Sequence, residues 1–435
     1  MHGYAAALLF AAGDRTMNAR GTDGNKKEVA MGGNPEGIER RSLIKAGLAG
    51  LAGVALGASC GRTPEPVTHS PEPAPAPPAK GPVMTRTLGR TGLNVTIVGM
   101  GVMNADNPRL VEAALAAGIN HVDTAHGYQN GRNEEMVGQA VKTVKRDAVV
   151  LATKVPPPGD GDAARRKARY LDMLEISLRR LATDYVDILY LHNLSSRAGV
   201  FDEAMLEVAA GIKQSGKARF IGVSTHSNEP EVIRAAKDSG VFDVVLTAYN
   251  FRQDHRQEVR KAIVEAAGAG LGIVAMKTQA GVYWDRERLL PINMTAALKW
   301  VLQEPSVHTS IPGFTTFDQL ETDLKVMAGL ELTPAERLDL DEQPGMAGLY
   351  CQQCGRCRPQ CPAALPIPDL MRSYMYAYGY RNPGLAHDVL AELDLPGDPC
   401  AGCATCDIRC AKGFPVRERV RDIARLRNAP RDLLG

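Results

Sequence analysis

The chain has 435 residues, with 44% apolar residues and 51 basic against 49 acidic side chains. That length suits two or three soluble units rather than one, and a net charge of +2 leaves no basic footprint for nucleic acid. Eight of the nine cysteines lie between Cys351 and Cys410 and the ninth is Cys60, a clustering that argues against a disulfide framework and for metal ligation at one end of the chain.

In chain order, the first expectation is an export signal over residues 1–62. Arg40 and Arg41 precede an apolar run, Ala46 to Ser59, too short to span a bilayer, and the pair resembles a twin-arginine (Tat) signal. A start at Met31 would place the pair near the N-terminus. Export by this route leads to the periplasm or cell envelope; a degenerate signal would leave the protein cytoplasmic. Cys60 loosely resembles a lipoprotein site, and membrane contact is expected only if it is lipidated. Residues 63–83 are rich in Pro and lack a core-forming pattern, as a linker does.

Over 84–330 short β-branched runs alternate with amphipathic segments. Strands are expected at Val95–Met103, Asn120–Ala125, Ala148–Val155, Val186–His192, Ala218–Ser224, Asp243–Asn250, Gly272–Met276 and Val307–Pro312. Helices are expected between them, among them Ala163–Leu181 and Arg256–Ala267. Eight such units in roughly 250 residues predict an α/β fold, a (β/α)8 TIM barrel. A doubly wound sheet is the alternative, weakened by the lack of G-x-G-x-x-G after the first strand.

Active sites of such barrels lie at the C-terminal ends of the strands. Asp123 with Tyr128, Lys154 and His192 close three consecutive strands. Singly, each reads as a cap, a solvated amine or a core histidine. Together they form an acid–base set. Lys154 beside Tyr128 is expected to lower the phenol's pKa, Asp123 to hold Lys154, and Tyr128 to give a proton to a carbonyl oxygen. His192 would polarise that oxygen.

The segments Asp123-Thr124-Ala125-His126-Gly127-Tyr128, Ala152-Thr153-Lys154 and Leu191-His192-Asn193 resemble the motifs of the aldo-keto reductase family. Gly216 to Ser224, Leu181 to Asp187, Tyr249-Asn250 and Ile311-Pro312-Gly313 resemble later ones. The resemblance implies a nicotinamide-dependent reductase of a small carbonyl substrate, with Asp123, Tyr128, Lys154 and His192 catalytic. It places Ser224, Thr225, Asn250 and Gly313 at the NAD(P)H site. Departures are visible. Thr225 stands where the family has a carboxamide-binding Asn, Leu246 replaces a Gln, and Met276 replaces a stacking Tyr. Phe314 to Phe317 lacks the basic residue that meets the 2′-phosphate of NADP. Substrate choice is expected in loops around His126, Arg252, His255 and Trp284.

Residues 335–435 are expected to form a small, mainly helical iron–sulfur domain. Cys351, Cys354, Cys357 and Cys361, followed by Pro362, reproduce the C-x2-C-x2-C-x3-C-P run of ferredoxins, and Cys400, Cys403, Cys406 and Cys410 repeat it without the Pro. Two 4Fe–4S clusters are implied. A zinc ribbon would leave half of these cysteines unused. By analogy with two-cluster ferredoxins, Cys361 would serve the set of Cys400, Cys403 and Cys406, and Cys410 that of Cys351, Cys354 and Cys357. The domain resembles the helical ferredoxin type of one reductase branch. Two functions remain open: a carbonyl reductase whose clusters relay electrons or brace the fold, and an exported electron-transfer protein that meets a redox partner without turning over nicotinamide.

Overall fold

The computed structural model describes residues 83–281, 283–284, 289–341, 350–393, 395 and 397–434. The expected export signal, the linker through residue 82 and Cys60 lie outside the described residues. What is described belongs to one compact unit. No helix among the described residues is long and apolar enough to cross a membrane.

An antiparallel hairpin, β1 (Thr85–Thr87) and β2 (Asn94–Thr96), comes first. Eight parallel strands follow: β3 (Met100–Gly101), β4 (His121–Asp123), β5 (Val150–Val155), β6 (Val186–Leu191), β7 (Ala218–Thr225), β8 (Val244–Ala248), β9 (Gly272–Met276) and β10 (Thr309–Ser310). Each pairs with the next in sequence. The first and last meet at a Val98–Ser310 bridge, where Gly99 N–H donates to Ser310 O at 2.8 Å and Ser310 N–H to Ile97 O at 2.9 Å. The result is the expected (β/α)8 barrel, nearly closed.

Helices α1 (Pro108–Ala116), α2 (Arg132–Val141), α3 (Ala163–Leu181), α4 (Arg197–Val200), α5 (Glu203–Gln214), α6 (Glu229–Ser239), α7 (Arg256–Gly268), α8 (Met294–Leu302) and α9 (Phe317–Lys325) lie between or after the strands, and α10 (Pro334–Leu340) ends this part. Side-chain caps open several of them: Asp162 accepts from Arg165 N–H at the head of α3, and Thr333 with Glu336 forms a capping box on α10.

The expected first strand, Val95–Met103, is two strands in the structure. Its front half pairs backwards in the hairpin and its rear half joins the barrel. Both halves are buried, and the polar Thr96 that ends β2 is itself 1% exposed, so no exposed residue marks the break. Leu88, Leu93 and Val95 of the hairpin region pack against Val150, Ile188, Val244 and Val274 inside the barrel. Arg90 N–H donates to Gly270 O at 2.7 Å, just before β9. The hairpin therefore floors the barrel at the N-terminal ends of the strands and leaves the opposite mouth for chemistry.

The iron–sulfur part is helical, as expected: α11 (Ile367–Tyr374), a π-helical turn (Met375–Gly379), α12 (Pro383–Ala391) and α13 (Val416–Ala424). Ile367, Leu370, Leu390, Val420 and Ile423 form its core. It sits on the barrel mouth. Gly281 beyond β9 and Gly379 in the π-turn both press on the Tyr350 ring, and a Cβ at either would run into it. Lys412 pairs with Asp254 at 2.9 Å, and Asn382 Nδ2 donates to Asn104 Oδ1 at 3.4 Å. Packing of this kind makes the domain a roof for whatever the barrel binds.

Candidate active site

Parallel pairing sets Asp123 opposite Ala152 and Lys154 opposite Tyr190, so consecutive strand ends reach one rim. Asp123 and Lys154 are 1% exposed and form an ion pair. Lys154 Nζ also donates to Thr124 O at 2.6 Å and to Tyr128 Oη at 3.4 Å. Tyr128 opens a short turn in which Gln129 and Asn130 hold positive φ of 50° and 55°. Gln129 anchors that turn by donating to Met103 O and Ala105 O at 3.2 and 2.9 Å. The Tyr128 and His192 rings meet edge-on with centroids 6.1 Å apart. The four expected catalytic side chains are therefore neighbours.

Burial raises the Asp123 carboxyl and lowers the Lys154 ammonium, each opposed by the charge of the other. The Tyr128 phenol is pushed well above its ordinary value by burial and then by Asp123, against a smaller pull from Arg372. This differs from the lowering expected of a Lys–Tyr pair: Asp123 offsets the charge of Lys154, so burial dominates. A phenol so held stays protonated and is a donor rather than a phenolate. His192 is driven well below its ordinary value by burial, then by Lys154 and Arg372, which keeps its imidazole neutral.

Tyr128, Asp123 and Lys154 open on a cavity of about 310 Å³. Of the expected cofactor residues, Asn250 and Gly313 line it. Ser224 and Thr225 turn their hydroxyls to the backbone: Ser224 Oγ accepts from Asn193 N–H at 2.9 Å and Thr225 Oγ1 donates to Ser227 O at 2.8 Å. His226, which no motif marks, lines the cavity instead. Its Nδ1 is buried without a hydrogen-bond partner. The loops expected to select substrate reach the cavity through Tyr128, Asn250, Gln253 and Gly281, while the four residues named in them are engaged elsewhere. Arg252 is buried against the Trp284 ring at 4.6 Å, His255 Nε2 lies 2.9 Å from Glu229 Oε2, and His126 Nδ1 lies 2.9 Å from Ser177 Oγ. None of the four is among the cavity's lining residues.

Lys277, just beyond β9, enters the cavity from a left-handed backbone with φ 57°. Its ammonium lies 5.0 and 5.2 Å from the ring centroids of Tyr376 and Tyr380. The opposite wall comes from the iron–sulfur part: Tyr350, Cys351, Gln352, Gln353 and Tyr380.

The eight cysteines form no disulfides and fall into two groups. Cys354, Cys357 and Cys410 all press electrostatically on Cys351, while Cys361 shares a small cavity with Cys400, Cys403 and Cys406. Backbone N–H groups of Gln353 and Lys412 donate to Cys351 Sγ and Cys410 Sγ at 3.3 and 3.4 Å, and burial pushes the Cys351 thiol up to about 12. Among the described residues no three His, Cys, Asp or Glu are placed to hold a single metal ion. A cubane spreads its four thiolates wider than one tetrahedral ion does, and the residues present fit a cluster.

Comparison with known proteins bears on both parts. The model described as the aldo/keto reductase family matches residues 95–290. Over those residues the chain is similar to the aldo/keto reductase family. A 4Fe–4S dicluster domain matches residues 350–415. The chain is similar to the uncharacterized oxidoreductase YqkF of Bacillus subtilis, 27% identical over 290 residues, 58% of this chain and 93% of the relative. It is 35% identical over 158 residues to the aldo-keto reductase YhdN of the same organism, covering 33% of this chain and 47% of that one. Among solved structures, aldo-keto reductase AKR11C1 from Bacillus halodurans in its holo form matches with a TM-score of 0.50 and 26% identity, over 59% of this chain and 95% of that one. The protein is an oxidoreductase.

Proposed function

We propose that this oxidoreductase reduces a carbonyl or aldehyde with a nicotinamide cofactor, and that its C-terminal part holds two 4Fe–4S clusters. The observation that carries the reading is the group of Asp123, Tyr128 and Lys154 opening on a shared cavity, with the His192 ring edge-on to Tyr128.

A bound nicotinamide supplies hydride to the carbonyl carbon. The C=O electron pair then moves to oxygen, and Tyr128 Oη gives that oxygen its proton. Lys154, paired with Asp123, holds the phenol. Neutral His192 offers a ring N–H to the same oxygen and steadies its developing charge. For the cofactor, Asn250 and Gly313 line the cavity. The unpaired Nδ1 of His226 suits the carboxamide contact that Thr225 does not make.

Lys277 lies where an anionic part of the dinucleotide would find a charge. Among the described residues no carboxylate is within ion-pair distance of it; its partners are the Tyr376 and Tyr380 side chains. Replacing it by Met is expected to weaken NADPH binding about tenfold or more, as for a lost bond between charged groups. Fluorescence titration of the purified protein measures this; an unchanged Kd would remove Lys277 from the site.

A second reading has its own support, since Cys351 lines the same cavity as Tyr128. An electron-transfer protein would use that adjacency between cluster loop and barrel ligand and meet a redox partner, without nicotinamide turnover. The Arg40-Arg41 segment favours export to the periplasm or cell envelope, where nicotinamide nucleotides are scarce.

A further inference from the structure

Arg372 belongs to α11 of the iron–sulfur part, yet its side chain ends at the barrel. It is 4% exposed. One guanidinium nitrogen donates to Asn193 Oδ1 at 2.9 Å, and another pairs with Asp369 at 3.0 Å one turn back on the same helix. Asn193 directly follows His192 and holds φ 62°, a left-handed conformation that Asn tolerates but that surrounding structure must support. Two hydrogen bonds give that support: Asn193 N–H to Ser224 Oγ at 2.9 Å, and the bond from Arg372. The turn they hold is the one that presents the His192 ring to Tyr128.

We propose that Arg372 is a positioning residue of the barrel's active site, supplied by the iron–sulfur domain to clamp the Asn193 turn and, through it, His192. The proposal rests on the reading of His192 as the residue that faces the carbonyl. It gives the iron–sulfur domain a part in catalysis that needs no electron to pass between domain and barrel. An arginine suits the task, because its planar fork makes two directed bonds at once where a lysine is a point charge.

The same side chain shapes the electrostatics of the site. His192 is faced by Lys154 from β5, Arg372 from α11, Lys277 beyond β9 and His126 from the loop after β4. The His226 ring lies 6.5 Å away and that of Tyr128 6.1 Å. The cations and burial all oppose the imidazolium. Removing Arg372 takes away one of these cations, so His192 must titrate at a higher pH than in the native protein.

The test uses the full-length holoprotein carrying Arg372→Met, Arg372→Lys or Asn193→Ala, each with iron content and visible absorbance compared to the native chain. Hydrogen exchange of the 190–196 segment needs no turnover. Arg372→Met and Asn193→Ala are each expected to speed it about tenfold, the scale of one charge-assisted bond. The pH profile of kcat/KM separates charge from clamp. Its acid limb is expected to move to higher pH in Arg372→Met and to stay in place in Arg372→Lys and Asn193→Ala, whose kcat falls. An Arg372→Met protein with full clusters, native exchange and an unmoved acid limb would overturn the proposal. Should Arg372→Met fail to assemble, native exchange in Asn193→Ala would overturn it alone. A native protein without nicotinamide turnover would sink the reductase reading while the exchange measurement still decides the clamp.

Discussion

Replacing Tyr128 by Phe is expected to lower kcat for carbonyl reduction by about 10²–10⁴-fold, the range of a lost general acid, while cluster absorbance stays native. The ring fills the same space, so packing against His192 persists and only the donated proton is lost. The pH profile of the native protein carries the same information. Burial and Asp123 hold the Tyr128 phenol above its ordinary range, so the alkaline limb should lie above about pH 10. Burial, Lys154 and Arg372 hold His192 below its ordinary range, so the acid limb should lie below about pH 6.5. Rate is thus full between the two limbs, lost as pH rises through the phenol's pKa and lost as pH falls through that of the histidine. Turnover undiminished in Tyr128→Phe would take Tyr128 out of the proton-donor role.

The second large effect is on the clusters. With two clusters ligated as proposed, Cys410→Ser and Cys361→Ser are each expected to halve iron and sulfide, because each would remove one corner of a different cluster. The grouping of Cys410 with Cys351 and of Cys361 with Cys400 dictates which signal each removes. In electron paramagnetic resonance of the reduced protein, Cys410→Ser should erase the same signal as Cys351→Ser, and Cys361→Ser the same as Cys400→Ser. Loss of one common signal in Cys361→Ser and Cys351→Ser would show instead that each run serves its own cluster. The distinction matters for function, because the set containing Cys351 borders the cavity that Tyr128 lines.

Much of this was legible in the sequence because it is local. Strands β5 and β9 stand within two residues of their expected bounds, since β-branched runs buried on both faces read without ambiguity. The cysteine runs declare themselves by spacing, and strand ends place Asp123, Lys154 and His192 on one rim. The hairpin hidden in Val95–Met103 escaped, because burial on both sides erases the alternation that marks a change of partner. The tyrosine shift is opposite in sign because it depends first on how deeply Tyr128 itself is buried and then on Asp123, which spacing does not report. Thr225 and His226 show the same limit: which of two adjacent polar residues faces a cavity is decided by the loop's own hydrogen bonds. The roof was out of reach entirely. Arg372 meets a residue 179 positions earlier in the chain, and Tyr376 reads as packing until Lys277 is found beneath it.

The central claim is that a nicotinamide cofactor and a carbonyl meet at Tyr128 beneath the iron–sulfur roof. Anaerobic mixing of the native holoprotein with NADPH or NADH, with and without a small aldehyde, tests it directly by following the reduced-nicotinamide and cluster absorbances together. The account predicts aldehyde-dependent loss of the reduced nicotinamide with at least one of the two cofactors. Failure of both to bind or oxidise, in protein with full cluster content, would contradict it and leave the electron-transfer reading.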